Sequence, residues 1–114
     1  MSLDVSLEGV HCSHCNRGGE DVYHANITHN LGGMAEAAGI YKALWRPEEI
    51  GITHAKQLIE PLRAGVVWLR EHETEARKHD APNGWGLYEH FLPFVEKYLE
   101  ACIANPETLV RASR

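Results

Sequence analysis

The spacing of apolar residues changes near residue 29, and this change decides which folds the chain can adopt. Residues 3–7 alternate between apolar and polar side chains, which is the period-two pattern of a strand with one buried face. Residues 21–28 repeat the alternation, and the segment between the two runs contains Gly18 and Gly19, which suit a tight turn. We therefore predict an antiparallel β-hairpin over residues 4–28.

Helical spacing follows the hairpin. Three stretches place apolar side chains at intervals of three and four residues, as amphipathic helices do, and they cover residues 30–39, 53–72 and 89–105. Asn30 is a suitable N-cap for the first helix. Pro61 indicates either a kink or the start of a new helix, and Pro93 is compatible with a helix only near its first turn.

The length of 114 residues fits one domain with one core. With 44% hydrophobic and 24% charged residues, the composition is that of a globular protein rather than of a disordered chain or a coiled coil. We predict a mainly helical α+β fold in which the hairpin packs on three main helices, as a single domain over residues 1–114. The helical part is expected to occupy residues 30–105, and residues 107–114 are expected to form a frayed tail.

Charge and cysteine content restrict the function classes. The formal net charge is −5, and the eleven Lys and Arg residues are scattered, so the clustered positive charge that holds nucleic acid is missing. The sequence has no run of eighteen apolar residues, so we expect no membrane contact. It begins without the pattern of a secretion signal, and three cysteines are too few for a disulfide framework. A cytoplasmic protein is therefore expected.

Four of the eight histidines lie between residues 11 and 29, around a Cys-x-x-Cys turn. Cys12 and Cys15 would present two sulfur atoms to one point at the tip of the hairpin, and zinc would need two further ligands. His24 and His29 are the nearest candidates, which gives a metal site of Cys12, Cys15, His24 and His29. The alternative interpretation is a pair of reduced thiols on a surface turn.

A second candidate site lies at the strand-to-helix turn and consists of Asn26, His29 and Asn30. His29 and Asn30 stand at a helix start, where backbone N–H groups favour an anion such as a carboxylate or a phosphate. In the alternative, structural interpretation Asn30 caps the helix, Asn26 and Thr28 satisfy backbone groups, and His29 packs locally.

The tryptophans and the third cysteine have simpler interpretations. Trp45 and Trp85 lie in turn-like segments and are expected to close the core from its edges. Trp68 falls off the main apolar stripe of its helix, so it is the tryptophan to examine for exposure and for helix–helix dimerisation. Cys102 lies on the apolar side of the last helix and is expected to be a small core residue.

Several strings of the sequence are distinctive together. Residues 26–31 read NITHNL, residues 55–62 read AKQLIEPL, residues 83–86 read NGWG and residues 99–102 read LEAC. Through these strings, nearly the whole chain resembles a family of small uncharacterised bacterial and phage proteins with an N-terminal hairpin and an NIT[HY]N strand-to-helix motif. The resemblance implies no activity, substrate or catalytic residue. Relatives with Tyr at the position of His29, and others with a different hairpin turn, imply a fold that does not need metal throughout the family.

Recognisable signals of catalysis are missing from the sequence. It has no Gly-rich phosphate loop, no HExxH motif and no serine in a nucleophile elbow. A redox Cys-x-x-Cys motif usually opens a helix, whereas this one is predicted at the tip of a hairpin. We therefore predict a non-enzymatic accessory or protein-interaction domain, with a second copy or another protein as its partner. The alternatives are a zinc-stabilised binding module and a small metal- or thiol-dependent enzyme.

Overall fold

The computed structural model describes residues 2–9, 21–80 and 86–114, which form an α+β fold. The strands are β1 (Ser2–Glu8), β2 (Asp21–Thr28) and β3 (Leu109–Ser113). The helices are α1 (Gly32–Ala37), α2 (Tyr41–Trp45), α3 (Ile59–Glu71), α4 (Glu73–Arg77) and α5 (Tyr88–Ala104). Short 3-10 turns cover His29–Leu31, Pro47–Ile50 and Ala55–Gln57. The predicted fold class is confirmed.

β1 is the central strand of a three-stranded antiparallel sheet with the order β2-β1-β3. Its alternation has the predicted consequence, because Leu3, Val5 and Leu7 are fully buried while the residues between them face the other side. Leu3 lies opposite Ile27 and Val5 lies opposite Ala25, so the predicted pairing of β1 with β2 is confirmed.

The C-terminal tail differs from the prediction. Residues 107–114 were expected to fray, but Leu109–Ser113 form β3 and pair with β1 from Asp4 to Glu8. The outer side of β3 is also held, because the Val110 N–H donates to the Thr53 carbonyl at 2.9 Å. At the end of the chain, Arg114 donates to the Trp45 carbonyl at 2.7 Å. These partners are distant in sequence, so the tail is ordered by tertiary contacts that the sequence of the tail does not indicate.

The helices accommodate their two prolines, Pro61 and Pro93, at different positions. Pro61 is the third residue of α3, so a new helix begins just before it and the missing N–H falls in the first turn. The predicted helix over residues 53–72 is therefore a 3-10 turn followed by α3. Pro93 was expected near a first turn, but α5 begins at Tyr88 and Pro93 is its sixth residue, inside the helix. Burial of the surrounding α5 side chains outweighs the hydrogen bond that the proline removes.

The core lies between the inner face of the sheet and the helices. α3 packs against α5, and α5 contacts β2 through Tyr98, whose ring stacks on Tyr23 with 5.8 Å between the centroids. Trp45 is only 3% exposed, which confirms its predicted place in the core. Trp68 is partly buried and stacks on His72 at 4.8 Å, and Trp85 lies outside the described residues. Of the helices in the described part of the chain, none is long and apolar enough to span a membrane.

Candidate functional site

Thr28 rather than Asn30 caps the helical segment that follows β2. The Thr28 hydroxyl accepts a hydrogen bond from the Asn30 N–H at 3.3 Å, and its backbone is extended as a cap requires. The N-cap is therefore Thr28, which lies two residues before the predicted Asn30. The reason is local, because the 3-10 turn His29–Leu31 begins earlier than the apolar spacing indicates.

Asn26 lies on the outer face of the sheet. Its side-chain amide donates to the Ser2 hydroxyl at 2.9 Å and to the Asp4 carboxylate at 3.0 Å. The His24 Nε2 lies 3.3 Å from the same Asp4 oxygen, and both side chains are about half exposed. Asp4 thus connects two side chains of β2 into one polar cluster on the solvent side of the sheet.

His29 lies on the other side of this turn, in an aromatic cluster. Its ring approaches Trp45 edge-on, with 6.2 Å between centroids, and Trp45 stacks on Tyr41 at 5.3 Å. The His29 Nε2 is shielded from solvent and has no hydrogen-bond partner within the residues that the structure describes. The structure places Asn26 in the outer polar cluster and His29 in the aromatic cluster, and the anion site stays a prediction. Asn30 is exposed between them.

Of the four predicted zinc ligands, the structure describes His24 and His29. His24 lies beside Asp4 on the outer face of β2, whereas His29 packs against Trp45, so the structure does not bring these two histidines together. Cys12 and Cys15 lie outside the described residues. Within residues 2–9, 21–80 and 86–114, no group of three or more His, Cys, Asp or Glu side chains is arranged to hold a metal ion. The zinc site therefore stays a prediction.

Cys102 is a core residue, as predicted, and has no exposed surface. Burial raises the pKa of its thiol to about 12, so the thiol is protonated at neutral pH and is a poor nucleophile. Burial also raises the pKa of the neighbouring Tyr98 hydroxyl, with smaller contributions from Cys102 and Tyr23. These groups contribute to packing, and their raised pKa values do not mark a reactive centre.

A surface groove of about 390 Å³ lies beside α2 and the start of α3. Tyr41, Ala43, Ile50 and Pro61 supply its apolar walls, and Glu36 and Lys42 are its charged residues. The groove offers packing surface rather than a cluster of reactive groups.

The hydrogen bond of Val110 shows in which direction the backbone N–H and C=O groups of each strand point. Val110 donates to Thr53, on the side of β3 away from β1. Val110 lies opposite Leu7, so this pair is not hydrogen-bonded, and the Leu7 backbone faces β2. Leu7 lies opposite Tyr23, and the same alternation assigns the backbone bonds of Tyr23, Ala25 and Ile27 to β1.

The remaining residues of β2 direct their backbone groups away from the sheet. His24 and Asn26 therefore present N–H and C=O groups along the outer edge of β2, which we call the β2 edge. Thr28 presents its N–H there, because its carbonyl accepts the first bond of the turn His29–Leu31, and Val22 lies at the irregularity of the register. Within the described residues, no strand pairs with the β2 edge. The other edge of the sheet is covered at the start of β3, because Thr53 bonds to Val110 and His54 forms a bridge with Leu109.

The β2 edge is the feature that the sequence analysis missed. The signal that was available is the run VYHANIT over residues 22–28, which contains no Lys, Arg, Asp, Glu or Pro. Natural proteins commonly protect an open edge with such residues. The run becomes informative only when the strand is known to lie at an edge, and that position depends on β3.

Comparison with protein-family models, with curated proteins and with solved structures finds no significant match. The resemblance to small bacterial and phage proteins therefore stays a prediction, and the function is argued from the geometry alone.

Proposed function

We propose that this chain is a non-enzymatic protein-interaction domain that binds an extended polypeptide segment at the β2 edge. The observation that carries the proposal is the outward direction of the backbone groups of His24 and Asn26 and of the Thr28 N–H, combined with their lack of a partner strand in the described part of the chain. An added strand would satisfy these groups, each hydrogen bond contributing about 1 kcal/mol.

The side chains of the β2 edge support this proposal. Val22, Tyr23, Ile27 and Thr28 have strong strand propensity, and Val22 is 48% exposed although it is apolar. The irregularity in the β1–β2 register falls on Val22, because Leu7 lies opposite Tyr23 and Glu8 lies opposite Asp21, so the regular part of the edge runs from His24 to Thr28. An unguarded edge of this length is a template for another strand.

Two further expectations belong to the proposal. Cys102 is a free thiol, which suits the reducing cytoplasm that the sequence analysis predicts. The scattered positive charges support a protein partner in preference to nucleic acid.

The proposal is tested by placing a photo-crosslinking amino acid at Val22 and exposing the protein in an extract of its natural source. We expect crosslinks to an extended segment of a polypeptide, located by mass spectrometry. His24→Pro removes one outward N–H while it leaves the bonds to β1 intact, so it should abolish the crosslink. His24→Ala loses the same contact with Asp4 but keeps the N–H, so it should retain the crosslink. Equal crosslinking by the two variants, or no crosslinked polypeptide at all, contradicts the proposal.

A further inference from the structure

We infer that the segment bound at the β2 edge is β2 of a second copy of this chain, related to the first by a two-fold axis beside Ala25. This inference rests on the proposed function and names its partner.

The backbone direction restricts the register. Only residues that face outward can form hydrogen-bonded pairs across the new interface, and in β2 these are His24, Asn26 and, through its N–H, Thr28. The register centred on the strand pairs His24 with Asn26 of the second copy and places Ala25 opposite Ala25. His24 and Asn26 are the residues that direct both backbone groups outward, because Val22 lies at the irregularity and the Thr28 carbonyl belongs to the next turn, so the two His24–Asn26 pairs define the register. These two pairs exchange about four main-chain hydrogen bonds.

The side chains are compatible with this register. Ala25 would lie at the axis as a pair without hydrogen bonds, where the two Cα atoms approach to about 4.5 Å. Tyr23 would lie opposite Ile27 of the second copy, an aromatic and β-branched combination that stabilises antiparallel strands. His24 faces the neutral Asn26 of the second copy, so no like-charged side chains are opposed.

The two-fold symmetry explains why the assembly would stop at two copies. Pairing through β2 gives a six-stranded sheet with β3 at both ends, and Thr53 and His54 occupy the outer side of each β3 at Leu109 and Val110. A two-fold contact uses the β2 edge of both copies, so the dimer would be closed through β2. A single strand pair buries less surface than a standard interface, so we expect a dissociation constant roughly in the micromolar range. Each copy carries a net charge of −5, so added salt should strengthen the association.

The oligomeric state is measured by sedimentation equilibrium of the purified full chain from low micromolar to millimolar concentration. We expect a monomer–dimer equilibrium in the wild type and in His24→Ala, with dimerisation at least tenfold weaker in His24→Pro. Circular dichroism verifies that each variant is folded. A wild-type chain that stays monomeric over this range overturns the inference. If crosslinks to another polypeptide are still found, the proposed function survives and only its assignment to a second copy fails.

A disulfide tests the register separately and does not depend on the proline variant. Ala25→Cys places two thiols opposite each other at the axis, at a separation that a disulfide can bridge. Val22→Cys is the matched control, because Val22 would lie about 20 Å from Val22 of the second copy. On mild oxidation we expect an intermolecular disulfide between the two copies of the Ala25→Cys variant, identified by peptide mapping, and none between the control cysteines. Equal crosslinking of the two variants overturns the register.

Discussion

Gly65 lies where α3 comes closest to the buried side chain of Ile40. A Cβ atom at this position would lie 2.7 Å from the Ile40 Cγ2 and 2.9 Å from its Cδ1, and Ile40 is only 1% exposed. Alanine is better than glycine in a helix by about 1 kcal/mol, but overpacking a tight core costs about 1–3 kcal/mol. We therefore expect Gly65→Ala to lower the free energy of unfolding by about 1 kcal/mol, as measured by urea denaturation.

The same contact provides the control for this prediction. Ile40→Ala removes the two carbon atoms that the new methyl group would meet, so in that background Gly65→Ala should be neutral or stabilising. If Gly65→Ala stabilises the otherwise wild-type protein, the close approach to Ile40 is relaxed at little cost and the prediction is wrong.

Single residues were predicted well where their role depends on their own size and polarity. The burial of Trp45 and Cys102 follows from residue type and pattern. The capping residue was misassigned, since both Thr28 and Asn30 are good caps and the choice depends on where the first turn begins. The separation of His24 from His29 also required the structure, because a short sequence distance does not show on which side of the sheet each ring lies.

At the scale of elements, local pattern predicted the hairpin strands and the main helices, and non-local pairing was missed. β3 contains the short sequence LVRAS, which has little alternation of its own. Its order comes from β1, about a hundred residues earlier in the chain, as in the hydrogen bond from Arg111 to Glu8 at 2.8 Å. The β2 edge could not be recognised for the same reason, because the strand order is set by where β3 pairs.

The metal prediction for the hairpin is decided by elemental analysis of protein purified without added metal. The four-ligand prediction requires near-stoichiometric zinc that is lost in Cys12→Ser, because two thiolates would supply half of the coordination. Cys102→Ala is the matched control and should retain the metal, since Cys102 is buried in α5. Metal-free protein whose melting temperature does not change with a chelator contradicts the prediction.

For the whole molecule, the sequence predicts which side chains face the core, while the raised pKa values of buried groups depend on how the helices and the sheet pack together. The apolar stripe of α5 predicts that Tyr98 and Cys102 face inward. Their separation from water results from the stacking of Tyr98 on Tyr23 and from the helix lying on the sheet, which periodicity does not describe.

This packing predicts that the protein loses stability in alkali. The pKa values of Tyr98 and Cys102 are raised in the folded state, chiefly by burial, so the folded chain keeps protons that the unfolded chain releases. The stabilisation is complete below the ordinary pKa values and is lost as the pH rises above about 9 for the thiol and about 10 for the phenol. Between its ordinary and raised pKa, each group should lower the free energy of unfolding by about 1.4 kcal/mol per pH unit.

Denaturation by urea at a series of pH values from 7 to 11 measures this slope. Tyr98→Phe keeps the aromatic ring but removes the titrating hydroxyl, so its unfolding free energy should fall less steeply than that of the wild type above pH 10. Cys102→Ala should flatten the curve from about pH 9, whatever constant cost its lost packing adds, because a cavity penalty does not depend on pH. Slopes identical to that of the wild type in both variants would mean that neither group is shielded from water in the folded protein.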